Sequence, residues 1–529
     1  MGQRMNNIDC QYNLAYDSLK QCIDKFTDVN SKLIGASFEK SKSLQLYWDG
    51  VLRYFNDFIE SYCIAVGYFN NVERQRAPRL DPLTNIKDYV DLLQLNLAIA
   101  EDAMKSSSLT LSSYHINQAS NTFSAWINTI FGLDGEGIEA LAAKEAVLME
   151  RVVREYPQAI KEIQAEYGFH FDDGGYTKVS ETDRFLLYQV LPANKKVEVV
   201  KNGKPVIIIP PFVLGANVLA FLPKQNKSYV HSFANKGIPT YIRIMKDIAI
   251  TPAFQLMTPE DDARDTKLFC EVVKERHGKP VTLNGYCQGG FSAVCDILSG
   301  ELDGLVDALI TCVSPMDGTR SKGLASFLKN LPQRFNDLAY GTKTLPNGNK
   351  VADGKLMGWV YKLKAIQDEY PLVSFYRDIM MLSKDGSGDF QFNKTAVAIN
   401  YWLTYERTDL PMEITKMSFD SYNIPITADG TLPTKLFGRE LNFKRMRDKG
   451  IKWLICYGER DDLVEKETAL APLDYIDAEV TAFPKGHLAI ATSWSNSSSE
   501  YALHTQFGDE KYRGPVLFQM DLDKALKGD

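Results

Sequence analysis

The cysteine at position 287 stands where a nucleophile would. The run Gly285-Tyr286-Cys287-Gln288-Gly289 follows an apolar stretch, Pro280 to Asn284, and precedes a helical pattern over Gln288 to Leu298. Strand, G-x-[S/C]-x-G and helix in that order form a nucleophile elbow, whose turn is too tight for side chains at the flanking glycines. The turn lifts Cys287 out of the sheet to a helix N-terminus, where the dipole favours negative charge. A thiol held this way can attack an acyl group. The bland alternative, a buried structural cysteine, fits Cys295 and Cys312 better, since apolar residues flank both. The remaining cysteines, at 10, 22, 63, 270 and 456, form no CxxC or zinc-like spacing with these. They read as free thiols, and no metal site is expected.

A nucleophilic thiol needs a base, and in this chain order the acid and then the histidine follow the nucleophile, on loops after the last strands. Of the six histidines, at 115, 170, 231, 277, 487 and 504, only His487 lies directly after the last apolar run, in Phe483-Pro-Lys-Gly-His487, while His504 lies in the polar tail. The acid should end the preceding run, in Tyr457-Gly-Glu-Arg-Asp461-Asp462-Leu-Val464. The spacing G-x-x-D-x-[IL]-V selects Asp461. A slip of one residue would substitute Asp462, which stays the alternative acid. An oxyanion also needs two amide donors. One is the N–H of Gln288, and the other belongs to the loop after Pro205–Pro210, around Phe212 or Val213, because Pro211 has no N–H to offer.

These residues need a sheet to carry them. Short β-branched runs at Pro205–Pro210, Ile238–Met245, Pro280–Gly285, Leu305–Val313, Ile451–Tyr457 and Ala478–Phe483 have the look of buried parallel strands. A helical pattern over Glu260–Arg276 separates two of them, so a parallel α/β sheet with right-handed crossovers is expected. The mixed, aromatic stretch of about 318–447 interrupts that alternation and reads as an inserted lid. Residues 1–175 are expected to form a mainly helical N-terminal domain. In it Trp48, Val51, Leu52, Phe55, Phe58, Ile59, Tyr62, Cys63 and Val66 recur at helical spacing, and a second long helix is expected from about Gly137 to Tyr167. Weaker helical patterns cover Ile86–Met104 and Ser112–Phe131. This region is either a bundle covering the catalytic domain or a surface for a partner subunit or a lipid-like granule. The fold class expected is α/β, an α/β-hydrolase fold with an inserted lid over 176–529.

The chain has 529 residues and a formal net charge of -7, without a dense basic patch, which argues against nucleic-acid binding. No run of about 18 uncharged apolar residues is present, so no transmembrane segment is expected. Met1 to Asn30 lacks an apolar signal core. The expected compartment is cytoplasmic.

The combination resembles the polyhydroxyalkanoate synthases over roughly 180–495. The resemblance lies in the apolar strand into Pro210-Pro211, Tyr241-Ile-Arg-Ile, Gly285-Tyr-Cys-Gln-Gly-Gly290 and Ser314-Pro-Met-Asp317. It extends through Asn400-Tyr-Trp402, Thr408-Asp-Leu-Pro411 and Gly486-His487. The cysteine in the lipase-like box is its most specific feature. After the prolines, where the family has Trp and then Asn-Lys, this chain has Phe212-Val-Leu-Gly-Ala-Asn217. The resemblance implies a (3R)-hydroxyacyl-CoA substrate with release of coenzyme A, no resident cofactor and a growing polyester as product. It also implies Cys287 as acyl carrier, His487 as base and Asp461 as its orienting acid. A homodimer, a partner subunit or a polymer-granule surface are the partners it brings in. Two further functions share these residues. One is a cysteine-dependent thioesterase or polyester depolymerase, in which water takes the acyl group. The other is a non-catalytic granule- or partner-binding protein.

Overall fold

The computed structural model describes the backbone of residues 2–383 and 390–527, with side chains from 17 to 383 and from 390 to 526; Cys10 lies outside the latter. The chain forms two compact units. The first comprises Met1–Glu60, Ala98–Ala159 and Ile366–Phe392, and the second Ser61–Leu97, Ile160–Ala365 and Asn393–Asp529.

The first unit is helical. It takes in most of α1 (Gly2–Arg76), the larger part of α2 (Pro82–Phe131) and all of α3 (Ile138–Glu150). The two separate patterns expected within 86–131 are one continuous helix, since no proline or glycine falls inside α2 to stop it. A small core of Ala36, Ala125, Ile138, Leu141 and Ala142 holds α1, α2 and α3 together. The hydroxyl of Thr129 accepts from the Ile138 N–H at 2.8 Å, satisfying one orphan donor at the start of α3. The helix Pro371–Ser383, from the stretch read as lid, belongs to this unit. Its Phe375 and Tyr376 are buried. Gly50 of α1 lets the Phe375 ring come within 2.7 Å of where a Cβ would stand, and the Tyr47 and Tyr376 hydroxyls meet at 3.0 Å.

The second unit is built on an eight-stranded sheet: β1 Tyr176–Glu181, β2 Phe185–Val190, β3 Val206–Ile209, β4 Thr240–Met245, β5 Val281–Tyr286, β6 Val306–Cys312, β7 Lys452–Gly458 and β8 Glu479–Phe483. Their order is β1-β2-β4-β3-β5-β6-β7-β8. β2 runs antiparallel to both neighbours and every other pairing is parallel. β3 and β5 are buried along their whole length; β3 is an unbroken apolar run, and β5 is apolar apart from the buried Thr282 and Asn284. β1 and β2 were not expected. β1, Tyr-Thr-Lys-Val-Ser-Glu, is an edge strand without a buried residue, so its sequence carries no apolar alternation. This strand order, with a single antiparallel second strand and the elbow after β5, is the α/β-hydrolase fold.

Behind the sheet a buried ion pair joins β4 to the two helices that flank β5. Arg243 Nη1 donates to Asp262 at 2.7 Å and to the Thr266 hydroxyl at 2.7 Å, and Ser292 hydrogen-bonds the other Asp262 oxygen. Asp262 lies in the helix Pro259–His277, which opens on a capping box between Thr258 and Asp261. Ser292 lies in the elbow helix, Gln288–Ser299. Among the described residues no helix is long and apolar enough to cross a membrane.

Candidate active site

Cys287 has φ 51° and ψ -127°, a left-sided backbone that non-glycine residues adopt at a cost. Packing enforces it. A Cβ on Gly289 would strike the carbonyls of Ile209 and Pro210, and one on Gly285 would strike the backbone of Gly290. The elbow is pinned further by the Cys287 N–H, which donates to the Cys312 carbonyl at 2.8 Å across to the end of β6. Gln288 opens the following helix, so its N–H is one of the donors that a helix cannot satisfy internally.

The loop after β8 brings His487 to the cysteine. Its Nδ1 lies 2.9 Å from Asp461 Oδ2. The other Asp461 oxygen accepts the N–H groups of Leu463 and Val464, each at 2.9 Å. Asp461 thus engages the Nδ1 side of the ring, which leaves Nε2 as the nitrogen available to Cys287. Nε2 is buried without a hydrogen-bond partner of its own. Burial pulls the His487 pKa down, but the Asp461 carboxylate and the nearby Cys287 sulfur outweigh it, and the imidazole titrates well above its ordinary range. The neighbouring Asp462 is exposed instead, and its carbonyl accepts from the Lys364 ammonium. Of the two aspartates, only Asp461 meets the histidine.

Cys287 and His487 open on one cavity of about 570 Å³. Gln288 and Val213 line it, whereas the Phe212 ring turns into the hydrophobic core. The 318–447 stretch supplies the opposite wall through Tyr361, Trp402 and Tyr422. Trp402 is tied to the β3 loop, its indole N–H donating to the Leu214 carbonyl at 3.0 Å. Burial raises the Tyr361 and Tyr422 pKa values, and the Cys287 sulfur adds to both.

No known family profile matches the chain, and no curated protein matches its sequence. Solved structures that resemble it include carboxylesterase CesB of Bacillus subtilis, 11% identical, covering 64% of this chain and 92% of that one with a TM-score of 0.32. Est1E of Butyrivibrio proteoclasticus is 12% identical over 60% of this chain and 91% of that one, TM-score 0.29. Proline iminopeptidase of Mycobacterium smegmatis is 13% identical over 67% and 98%, TM-score 0.32. The fold assignment rests on the strand order and the elbow.

Three site residues escaped sequence reasoning. Tyr286, inside the elbow motif, donates its hydroxyl to the His487 carbonyl at 2.7 Å and so fixes the histidine loop. Tyr361 and Arg407 reach the cavity from segments whose pattern carries no sign of it. The remaining histidines have other partners or places. His231 is buried with Nδ1 2.7 Å from the Ser228 hydroxyl, His277 meets the Tyr241 hydroxyl at 2.7 Å, and His115 meets the Tyr376 hydroxyl at 3.0 Å. Among the described residues no cluster of three or more His, Cys, Asp or Glu side chains is placed to hold a metal ion. The described cysteines are free thiols, with Cys22 and Cys63 exposed and Cys270, Cys295, Cys312 and Cys456 buried.

Proposed function

We propose that this chain is a polyhydroxyalkanoate synthase-like acyltransferase that polymerises (3R)-hydroxyacyl groups from coenzyme A thioesters through Cys287. The observation that carries this reading is the Asp461–His487 pair held beside a cysteine in the elbow. His487 Nε2 takes the proton of the Cys287 thiol, and the sulfur attacks the thioester carbonyl. The N–H of Gln288 and that of Val213 would receive the oxyanion. The carbon–sulfur bond to coenzyme A breaks, its thiolate takes the proton back from His487, and the acyl group remains on Cys287. The hydroxyl of an acceptor then loses its proton to His487 and attacks the acyl-cysteine. An ester bond forms and the thiol is restored. A thioester is the donor that suits a thiol, because exchange between sulfurs is nearly balanced while transfer on to oxygen makes a stable ester. The wall formed by Tyr361, Trp402 and Tyr422 would limit water at the acyl-cysteine.

The test is a mass spectrum of protein incubated with 3-hydroxybutyryl-CoA. A 3-hydroxybutyryl adduct on Cys287, with coenzyme A release and polymer, is expected. Free hydroxy acid as the sole product would reassign the same cysteine to hydrolysis, and an adduct on any other cysteine would overturn the assignment.

A further inference from the structure

The cavity wall carries a cation that the acyl-transfer steps do not use. Arg407 lines the cavity with Cys287 and His487. Its guanidinium stacks 5.3 Å over the Trp402 ring, and Nη1 donates to the carbonyls of Glu406 at 2.7 Å and Trp402 at 3.2 Å. Neutral carbonyls do not balance a charge, and among the described residues no carboxylate lies within ion-pair distance of it. The adjacent Glu406 turns away, one oxygen accepting from the Asn217 amide at 2.5 Å and the other from the Tyr167 hydroxyl at 3.2 Å. Room has been made for the guanidinium. Gly358 sits within the helix Gly354–Lys364, and a Cβ there would stand 2.8 Å from Arg407 Nε. A helix-interior glycine costs about 1 kcal/mol against alanine, so this gap is maintained against local preference. Burial lowers the Arg407 pKa, and the Glu406 carboxylate opposes that shift without forming an ion pair. Holding a cation this way is costly unless an anion arrives to pair with it.

We propose that Arg407 is an anion-binding subsite of this cavity and that it selects substrates bearing a carboxylate, on either the acyl donor or the acyl acceptor. Arg407, Tyr361 and Cys287 line one cavity, so the subsite shares the space in which the acyl group is handled. The phosphates of a coenzyme A thioester lie at the far end of the pantetheine arm, away from the reacting sulfur. An anion at Arg407 therefore belongs to the acyl or acceptor portion. The planar fork of a guanidinium suits a carboxylate, and here Nη1 is held by the backbone.

The assignment of donor or acceptor rests on the acyl-transfer reading; the carboxylate subsite itself does not. Two arms use phosphate-free N-acetylcysteamine thioesters. The donor arm compares glutaryl with pentanoyl thioester, which match in chain length and differ in the terminal carboxylate. The acceptor arm compares 3-hydroxybutyrate with its methyl ester. In at least one arm the carboxylate-bearing substrate is expected to be favoured tenfold or more in kcat/KM. Arg407→Gln should erase that preference and Arg407→Lys should retain part of it. An independent titration of glutarate into unreacted protein reads binding alone, with weakening of tenfold or more expected in Arg407→Gln. If no thioester is turned over but glutarate binds through Arg407, the subsite stands and the acyl-transfer reading fails. If Arg407→Gln reduces both members of each pair equally, or if glutarate binding is indifferent to residue 407, the subsite is refuted.

Discussion

Asp461 and Asp462 are adjacent and chemically identical, yet their surroundings give them different work. Asp461 is buried against His487 and loaded with two amide donors, while Asp462 faces solvent. Asp461→Asn should therefore cut acyl-enzyme formation by about 10²–10⁴-fold, the range for a displaced general base, and Asp462→Asn by no more than about threefold. Single-turnover acylation by mass spectrometry checks both. The pH dependence follows from the same pair. Asp461 is the strongest influence raising the His487 pKa, and burial is the influence lowering it. With asparagine at 461, the limb of the acylation profile that reports deprotonation of the imidazole should move to lower pH. An unmoved limb would detach Asp461 from the histidine. The motif spacing already favoured Asp461, but it could not exclude a one-residue slip, because loop backbone geometry is set by tertiary contacts.

Elements hold these residues in place through contacts that periodicity does not announce. The elbow helix is anchored from behind by Asp262, which Arg243 and Ser292 share. Arg243→Leu would leave Asp262 buried beside a single hydroxyl, and removing one partner of such a pair costs about 3–5 kcal/mol. The midpoint of urea unfolding should fall accordingly with the m-value unchanged. The strands on either side of Cys287 were legible because they are almost wholly buried, and mainly apolar runs result. β1 was not, since an exposed edge strand is specified by its partner rather than by its own residues. The join between the two helical patterns in α2 was equally hidden, because weak amphipathicity marks helical faces and says little about continuity.

At the scale of the molecule, a boundary at 175 describes the order of the sequence and the compact units follow a different partition. The helix Pro371–Ser383 is bound into the helical unit by Phe375 and Tyr376. A fragment of residues 176–529 would strip α1 from those rings, each worth about 1.5–3 kcal/mol when buried. It should self-associate in size-exclusion chromatography and bind a hydrophobic dye that the full chain does not. Acid should act on the molecule through His231, whose pKa burial lowers from 6.5 to about 4. Its neutral form is favoured by folding. The stabilisation is complete above pH 6.5 and is lost as pH falls toward 4, amounting to about 3 kcal/mol. Unfolding free energies of the protein and of His231→Gln, measured at pH 7 and pH 4.5, should differ in their pH dependence by a large part of that amount.

The amino-acid sequence by itself determined the elbow, the order of Cys287, Asp461 and His487 along the chain, and the parallel strands that carry them. Those features are local: glycines at a tight turn, apolar runs, and the loop that follows each run. Tertiary structure settled the choice of Asp461 that the spacing had favoured, and it alone decided that Val213 rather than the Phe212 side chain reaches the cavity and that Tyr286 pins the histidine loop. It also decided that Arg407, more than a hundred residues from Cys287 in the chain, shares its cavity. Such choices depend on side-chain direction and on the packing of distant segments, and neither leaves a periodic trace in a sequence.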